Sequence, residues 1–199
     1  MRFRTFRSKA SVSAVLAVSA MLATPPTGAS AASAHGASPA VRAEGRFLPP
    51  SPYFPPDVVT YDVTKVPVGA HITVVERTGA RTTGIELAVS GLRPDRVYGA
   101  HVHTKPCGRA PEDAGPHYQN VKDPHQPSTD PAYANAANEV WLDLTTDVRG
   151  RGAAESGHDW RFRRGEARSV VIHDHGTMTD PGEAGTAGAR LACLDVPFV

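Results

Sequence analysis

The 199-residue chain is predicted to be all-β, an antiparallel sandwich or barrel. Short runs rich in Val and Thr recur along it, and turn residues separate them at close spacing, which is the pattern of sandwiches and barrels. No stretch shows the 3.6-residue apolar period of a helix of ordinary length, and there is no internal repeat.

The N-terminus reads as a leader to be removed. Met1 to Lys9 carries Arg2, Arg4, Arg7 and Lys9 with no acid, and an Ala-rich apolar run follows from Ala10 to Ala23. Ala29-Ser30-Ala31 and Ala32-Ser33-Ala34 are small-x-small cleavage sites, so a secretory signal peptide is expected over residues 1–34. The apolar run is too short to span a bilayer comfortably, and no lipobox-like cysteine follows it. The expectation is a secreted protein released from the membrane. Over the whole chain 21 basic and 20 acidic residues give a net charge of +1; cleavage leaves 17 basic residues and a charge of −3. A mildly acidic domain of this kind gives no reason to expect nucleic acid or membrane partners.

Residues 35–56 hold Pro39, Pro49, Pro50, Pro52, Pro55 and Pro56 among small and polar residues, the composition of an extended, flexible leader without a packed core. The folded domain is expected over residues 57–199. Its first strands are Val58–Val63, His71–Glu76 and Thr83–Val89, with turns at Thr78-Gly79 and Gly91–Asp95. Tyr98–His103 follows. Residues 104–138 then contain six prolines and no periodicity; so long a loop in a compact domain is usually functional or disordered, and Cys107, His117 and His125 on this one favour function. Strands resume at Glu139–Thr145 and Arg151–Glu155, then at Ser169–His173, and last at Ala189–Asp195.

The chemistry centres on Tyr98-Gly99-Ala100-His101-Val102-His103. In a strand, residues two apart share a face, so His101 and His103 would stand side by side about 7 Å apart. Paired imidazoles on one rigid element are half of a transition-metal site, and imidazole suits copper and zinc. The plain alternative is two surface histidines. His71 reads as a strand-surface residue and His158 as a solvated turn residue. Cys107 and Cys193 are the only cysteines. In an oxidising compartment two lone cysteines commonly pair, the alternative being two buried free thiols.

Four motifs together carry a resemblance to the copper/zinc superoxide dismutases: Gly99-Ala100-His101-Val102-His103, Gly115-Pro116-His117, Val171-Ile172-His173 and Gly188-Ala189-Arg190-Leu191-Ala192-Cys193. The resemblance covers about residues 57 to 199. It implies an eight-stranded Greek-key β-barrel or sandwich, immunoglobulin-like in architecture, with long metal-binding loops. It implies copper ligation by His101, His103, His117 and His173, with His117 bridging to zinc and His125 as a second zinc ligand. Arg190 would be the anion-guiding arginine and Cys107–Cys193 the intrasubunit disulfide. The implied reaction is dismutation of superoxide by copper cycling between two oxidation states, with His117 releasing the metal and taking up a proton on reduction.

The zinc half departs from that pattern. Ala137 and Val140 stand where a zinc histidine and aspartate are expected, although Asp130, Asn138, Glu139 or Asp143 offer substitute oxygens. Thr177 stands where the family has an aspartate that orients the ligands, and the loop from His173 to Arg190 is short. His175 is an extra histidine beside the last copper ligand. The reading is a copper-only or zinc-poor enzyme acting on superoxide, monomer or homodimer. The alternative is an extracellular copper-sequestering protein with little turnover.

Overall fold

The structure, a computed structural model, describes residues 40–54 and 56–199. The expected signal peptide lies outside the described residues. Among these residues ten strands form, in chain order β1 (Ala40–Arg46), β2 (Val58–Thr60), β3 (His71–Thr78), β4 (Thr83–Ser90), β5 (Val97–Tyr98), β6 (Ala100–His103), β7 (Leu144–Thr145), β8 (Gly152–His158), β9 (Ser169–His173) and β10 (Arg190–Asp195). A single 3₁₀ turn, Pro111–Ala114, is the sole helical element among them. No helix of the described residues is long and apolar enough to cross a membrane.

The strands build two four-stranded antiparallel sheets, β1-β3-β4-β8 and β2-β10-β9-β6, plus a small β5-β7 pair. Eight strands in a Greek-key sandwich are what the sequence motifs imply; β5 and β7 are an addition to that count. In the first sheet strict alternation decides the faces. Ile72 and Val74 on β3 pair with Val89 and Leu87 on β4, and all four point into the core with Ile85. The residues between them face outward, so this sheet has one wet side.

The second sheet has no wet side at its centre. Val102, Val170, Ile172 and Leu194 enter the main core, while Val59, Val171 and Cys193 lie on the opposite face in a smaller apolar cluster with Cys107 and Ala114. That is why Ser169-Val170-Val171-Ile172-His173 shows no alternation: every residue of it is buried. The outer face is roofed by the chain from 104 to 138 and from 174 to 189. The Cys107–Cys193 bridge pins the first of these segments to β10, with Cα atoms 5.7 Å apart. By closing a loop of 86 residues it removes unfolded-state entropy worth on the order of 4–5 kcal/mol.

Four expectations are corrected. Part of the proposed leader is structural: Ala40–Arg46 pairs along its whole length with β3, and Phe47 is fully buried in the core. Charged and small residues made this segment look like solvated coil, but an edge strand needs only one packed face. The Tyr98–His103 strand is split at Gly99, and Glu139–Thr145 keeps its extended alternation while forming ladder pairs only at its end. His158 is buried and stacks on Trp160, with ring centroids 4.2 Å apart. If β1 and Phe47 belong to the domain, Phe47→Ala is expected to destabilise the protein by about 3–5 kcal/mol in urea unfolding. A cost below about 1 kcal/mol, the range of ordinary surface changes, would return the segment to the leader.

Candidate metal centre

Register across the second sheet places the first three histidines. His101 lies opposite Val171, which lies opposite Cys193; His103 lies opposite Ser169. Residues directly opposite in an antiparallel pair share a face, so His101 and His103 join Val171 and Cys193 on the roofed outer face. His173, two residues beyond Val171, falls on the same side.

Arg190 reaches this face through an irregularity. Simple alternation would align it with Ala192 and Leu194, which point into the core. The β9–β10 register shifts between Arg190 and Ala192, and Leu191 and Ala192 both turn inward. A bulge of this kind re-aims the residues on one side of it. Arg190, three residues before Cys193, thereby shares the outer face. Its Nη1 donates to the Pro111 carbonyl at 3.0 Å, and among the described residues it has no ion-pair partner. Burial pulls its pKa down from the ordinary value, with Glu112 opposing; a guanidinium nonetheless keeps its charge.

His117 comes from the loop. Its residue forms a bridge to His103, and the Tyr118 N–H donates to the Val102 carbonyl at 2.8 Å. The fully buried Tyr118 ring anchors this turn of chain in the core. Gly115, with φ of 71°, makes the approach possible: a Cβ there would come within 2.8 Å of the Thr104 hydroxyl.

The four imidazoles bring one ligand atom each within 4.8 Å of one another. Their hydrogen bonds decide which nitrogens are free. His103 Nδ1 donates to the Gly115 carbonyl at 2.9 Å and His173 Nδ1 faces the Gly188 carbonyl at 3.4 Å, which leaves both Nε2 atoms bare. Those two Nε2 atoms face each other at 3.3 Å. Lone pair against lone pair at that distance is an arrangement that a shared cation relieves. His101 is turned the other way, with Nε2 2.7 Å from the Thr177 hydroxyl and Nδ1 buried without a partner. An orphaned buried ring nitrogen carries a desolvation penalty unless something binds it. Burial, reinforced by the neighbouring imidazoles, holds His101 and His103 well below the usual imidazole range and pushes His173 down to about 3. These three are therefore neutral near pH 7, as metal ligands must be. Four imidazole donors fit copper, and the residues present can hold it.

The zinc side is built differently. His117 Nδ1, the nitrogen that would face zinc, donates instead to Glu139 Oε2 at 2.9 Å. Glu139 is almost wholly buried and also accepts from Trp141 Nε1 and Gln119 Nε2, each at 2.8 Å. His125 is exposed and lies outside the cluster of four. His175 is also exposed, its Nδ1 2.9 Å from the Gly176 carbonyl. Sequence reading named Glu139 only as a substitute zinc oxygen, and it missed Trp141 altogether. The signal was in the alternation: Glu139, Trp141 and Asp143 face the site, whereas Val140, Leu142 and Leu144 enter the core.

Beside the histidines opens a cleft of about 170 Å³ lined by His117, Glu139, His173, Gly188 and Arg190. Comparison with known proteins agrees with the geometry. The model of the copper/zinc superoxide dismutase family matches residues 68–194. The fold is similar to that of the Cu/Zn superoxide dismutase from Brucella abortus, at 20% identity over 79% of this chain and 99% of that one, with a TM-score of 0.52. A double mutant of a SOD-like protein from Bacillus subtilis aligns at 17% identity over 64% of this chain and 88% of its own, with a TM-score of 0.47. No curated protein sequence matches. On the strength of the family match over most of its length, this chain belongs to the copper/zinc superoxide dismutase family.

Proposed function

We propose that the protein is a secreted, copper-dependent superoxide dismutase that works without zinc, converting two superoxide ions and two protons into dioxygen and hydrogen peroxide. The observation that carries this reading is the convergence of four imidazoles, with bare nitrogens inward, beside an arginine that has no ion-pair partner among the described residues, at an open cleft. His101 Nδ1 and the Nε2 atoms of His103, His117 and His173 would hold copper, which would supply the one-electron redox couple. Arg190 supplies a fixed positive charge at the cleft, which draws the substrate anion in and hydrogen-bonds it. Of the four histidines only His117 has appreciable exposure, 17% of its side chain. Its Nε2, when it is not engaged by the metal, is thus the place where a proton from water can be held and passed to the product peroxide.

Glu139 supports the zinc-free part of the reading. As an acceptor it needs a proton on His117 Nδ1, whereas zinc would need that nitrogen bare. A carboxylate held by three donors can orient the ring as a metal would. Export is supported by the basic and apolar N-terminal run and by the disulfide, which persists in oxidising compartments. The competing reading, copper sequestration, draws on the near-complete burial of His101, His103 and His173.

The deciding measurement is the dismutation rate of the disulfide-intact mature protein loaded with copper alone. A fast, chelator-sensitive rate is expected, unchanged by added zinc, with one metal bound per chain. Copper bound one to one with negligible rate would favour sequestration. Arg190→Ala is expected to slow dismutation on the order of tenfold or more at low ionic strength while copper affinity holds. An unaltered rate would remove Arg190 from the mechanism. The neutral imidazole set also makes the metal-free protein acid-sensitive. His173 is depressed to about 3 from an ordinary 6.5, so the unfolded chain binds the extra proton between those values. Stability is then full above pH about 6.5 and falls as pH drops towards 3. Urea midpoints flat across that window would contradict the burial argument.

A further inference from the structure

Backbone carbonyls face the outer nitrogens of His103 and His173 and the Glu139 carboxylate that of His117, whereas the residue facing the outer nitrogen of His101 is Thr177. Thr177 Oγ1 lies 2.7 Å from His101 Nε2 and 2.6 Å from Asp143 Oδ1. A hydroxyl has one proton to donate. With a carboxylate oxygen on one side and an imidazole nitrogen on the other, the proton goes to Asp143, so Thr177 accepts from His101 Nε2–H. The Thr177 backbone N–H donates to the second carboxylate oxygen, Asp143 Oδ2, at 2.6 Å. Both oxygens of Asp143 are thus engaged by one residue, and the hydroxyl is held in a single direction. Asp143 Oδ1 itself remains 3.9 Å from His101 Nε2, too far for a direct hydrogen bond.

We propose that Thr177 and Asp143 form a hydrogen-bond relay that holds His101 with its proton on Nε2 and its Nδ1 bare towards the metal, making both of them positioning residues of this centre. The inference rests on the copper reading for its purpose, while its geometry stands on the protein alone. Three details support it. His101 Nδ1 is a buried ring nitrogen left without a partner, as it must be if the relay claims Nε2. Asp143 sits two residues beyond Trp141, whose ring lies 6.2 Å from the His101 ring, on the alternating face that also presents Glu139. The lack of a side chain at Gly99 lets the segments meet, since a Cβ there would lie 2.6 Å from the His175 carbonyl and 2.7 Å from Ala187 Cβ. One stretch of chain, residues 139–143, therefore supports two ligands: Glu139 holds the outer nitrogen of His117, and Asp143 holds that of His101 through Thr177. The carboxylate that the loop after His173 lacks is delivered from the other side of the site.

The test begins with the metal-free mature protein, where long-range proton–nitrogen NMR reads which nitrogen of His101 is protonated. Nε2 protonation is expected; a proton on Nδ1 overturns the relay. Thr177→Val keeps the shape and removes the hydroxyl. It is expected to lose the single tautomer, to weaken Cu(II) binding roughly tenfold or more in chelator competition, and to shift the Cu(II) EPR spectrum. Thr177→Ser restores all three. Asp143→Asn, which puts a donor where one of the two acceptor oxygens was, moves the same readouts in the same direction. Unchanged tautomer, affinity and spectrum in Thr177→Val, or a serine variant as defective as the valine one with wild-type thermal unfolding, defeats the proposal. A wild-type protein that binds no Cu(II) defeats the copper reading instead, and the metal-free tautomer still judges the relay.

Discussion

Everything at the centre depends on the outer face of the β2-β10-β9-β6 sheet being dry. A strand in a sandwich normally has one face for the core and one for water, and its side chains divide accordingly. Here the second face carries His101, His103, His173 and Arg190, alternating along the strands with Val102, Val170 and Ile172, which pack the core. Imidazoles left on a wet face would titrate near neutral pH and bind metals loosely. Roofed by two loops, they are desolvated, neutral and close enough for their lone pairs to oppose one another.

The roof in turn depends on a few attachments. The disulfide, whose first cysteine lies four residues after His103, holds that loop to the strand that starts at Arg190, so one covalent bond reports on both halves of the site. The Cys107 N–H donates to Asp195 Oδ1 at 2.6 Å, and burial raises that carboxyl to about 6. Tyr118 supplies the apolar anchor on the far side of the loop and Gly115 the turn that lets His117 approach. Removal of any one of these would loosen His117 before it disturbed the β6 and β9 histidines, because those are held by sheet register.

In the proposed zinc-free centre a carboxylate changes the chemistry of His117 as well as its support. A ring bound by metal at both nitrogens is an imidazolate, whereas a ring donating Nδ1–H to Glu139 keeps that proton and has one nitrogen available. Such a centre keeps a divalent ion's orienting role and gives up its charge. Gln119 and Trp141 complete the substitution by satisfying the rest of Glu139, which a buried carboxylate requires. This also explains how Ala137 and Val140 are tolerated at positions where zinc ligands are expected: one is exposed and the other packs in the core.

The fold class, the four inward histidines and Arg190 were legible in the sequence because each is written in local pattern, and the disulfide because the chain has two cysteines in all. Strand alternation, a His-x-His pair and the Gly-x-Arg-Leu-Ala-Cys run depend on neighbours only a few residues apart. β1 was missed because an edge strand of charged and small residues has the composition of coil, and only its pairing with β3 gives it structure. The partners of the ligands were harder to see. Glu139 lies 22 residues from His117, and Thr177 and Asp143 lie 34 residues apart. No spacing rule connects residues whose meeting depends on how two loops fold over a sheet. By itself the sequence determined which side chains can carry the chemistry, since residue type and strand period are local properties. Only the tertiary structure decided which nitrogen of each histidine is free and what holds the other, because hydrogen bonds between distant segments exist only once the loops have closed over the outer face.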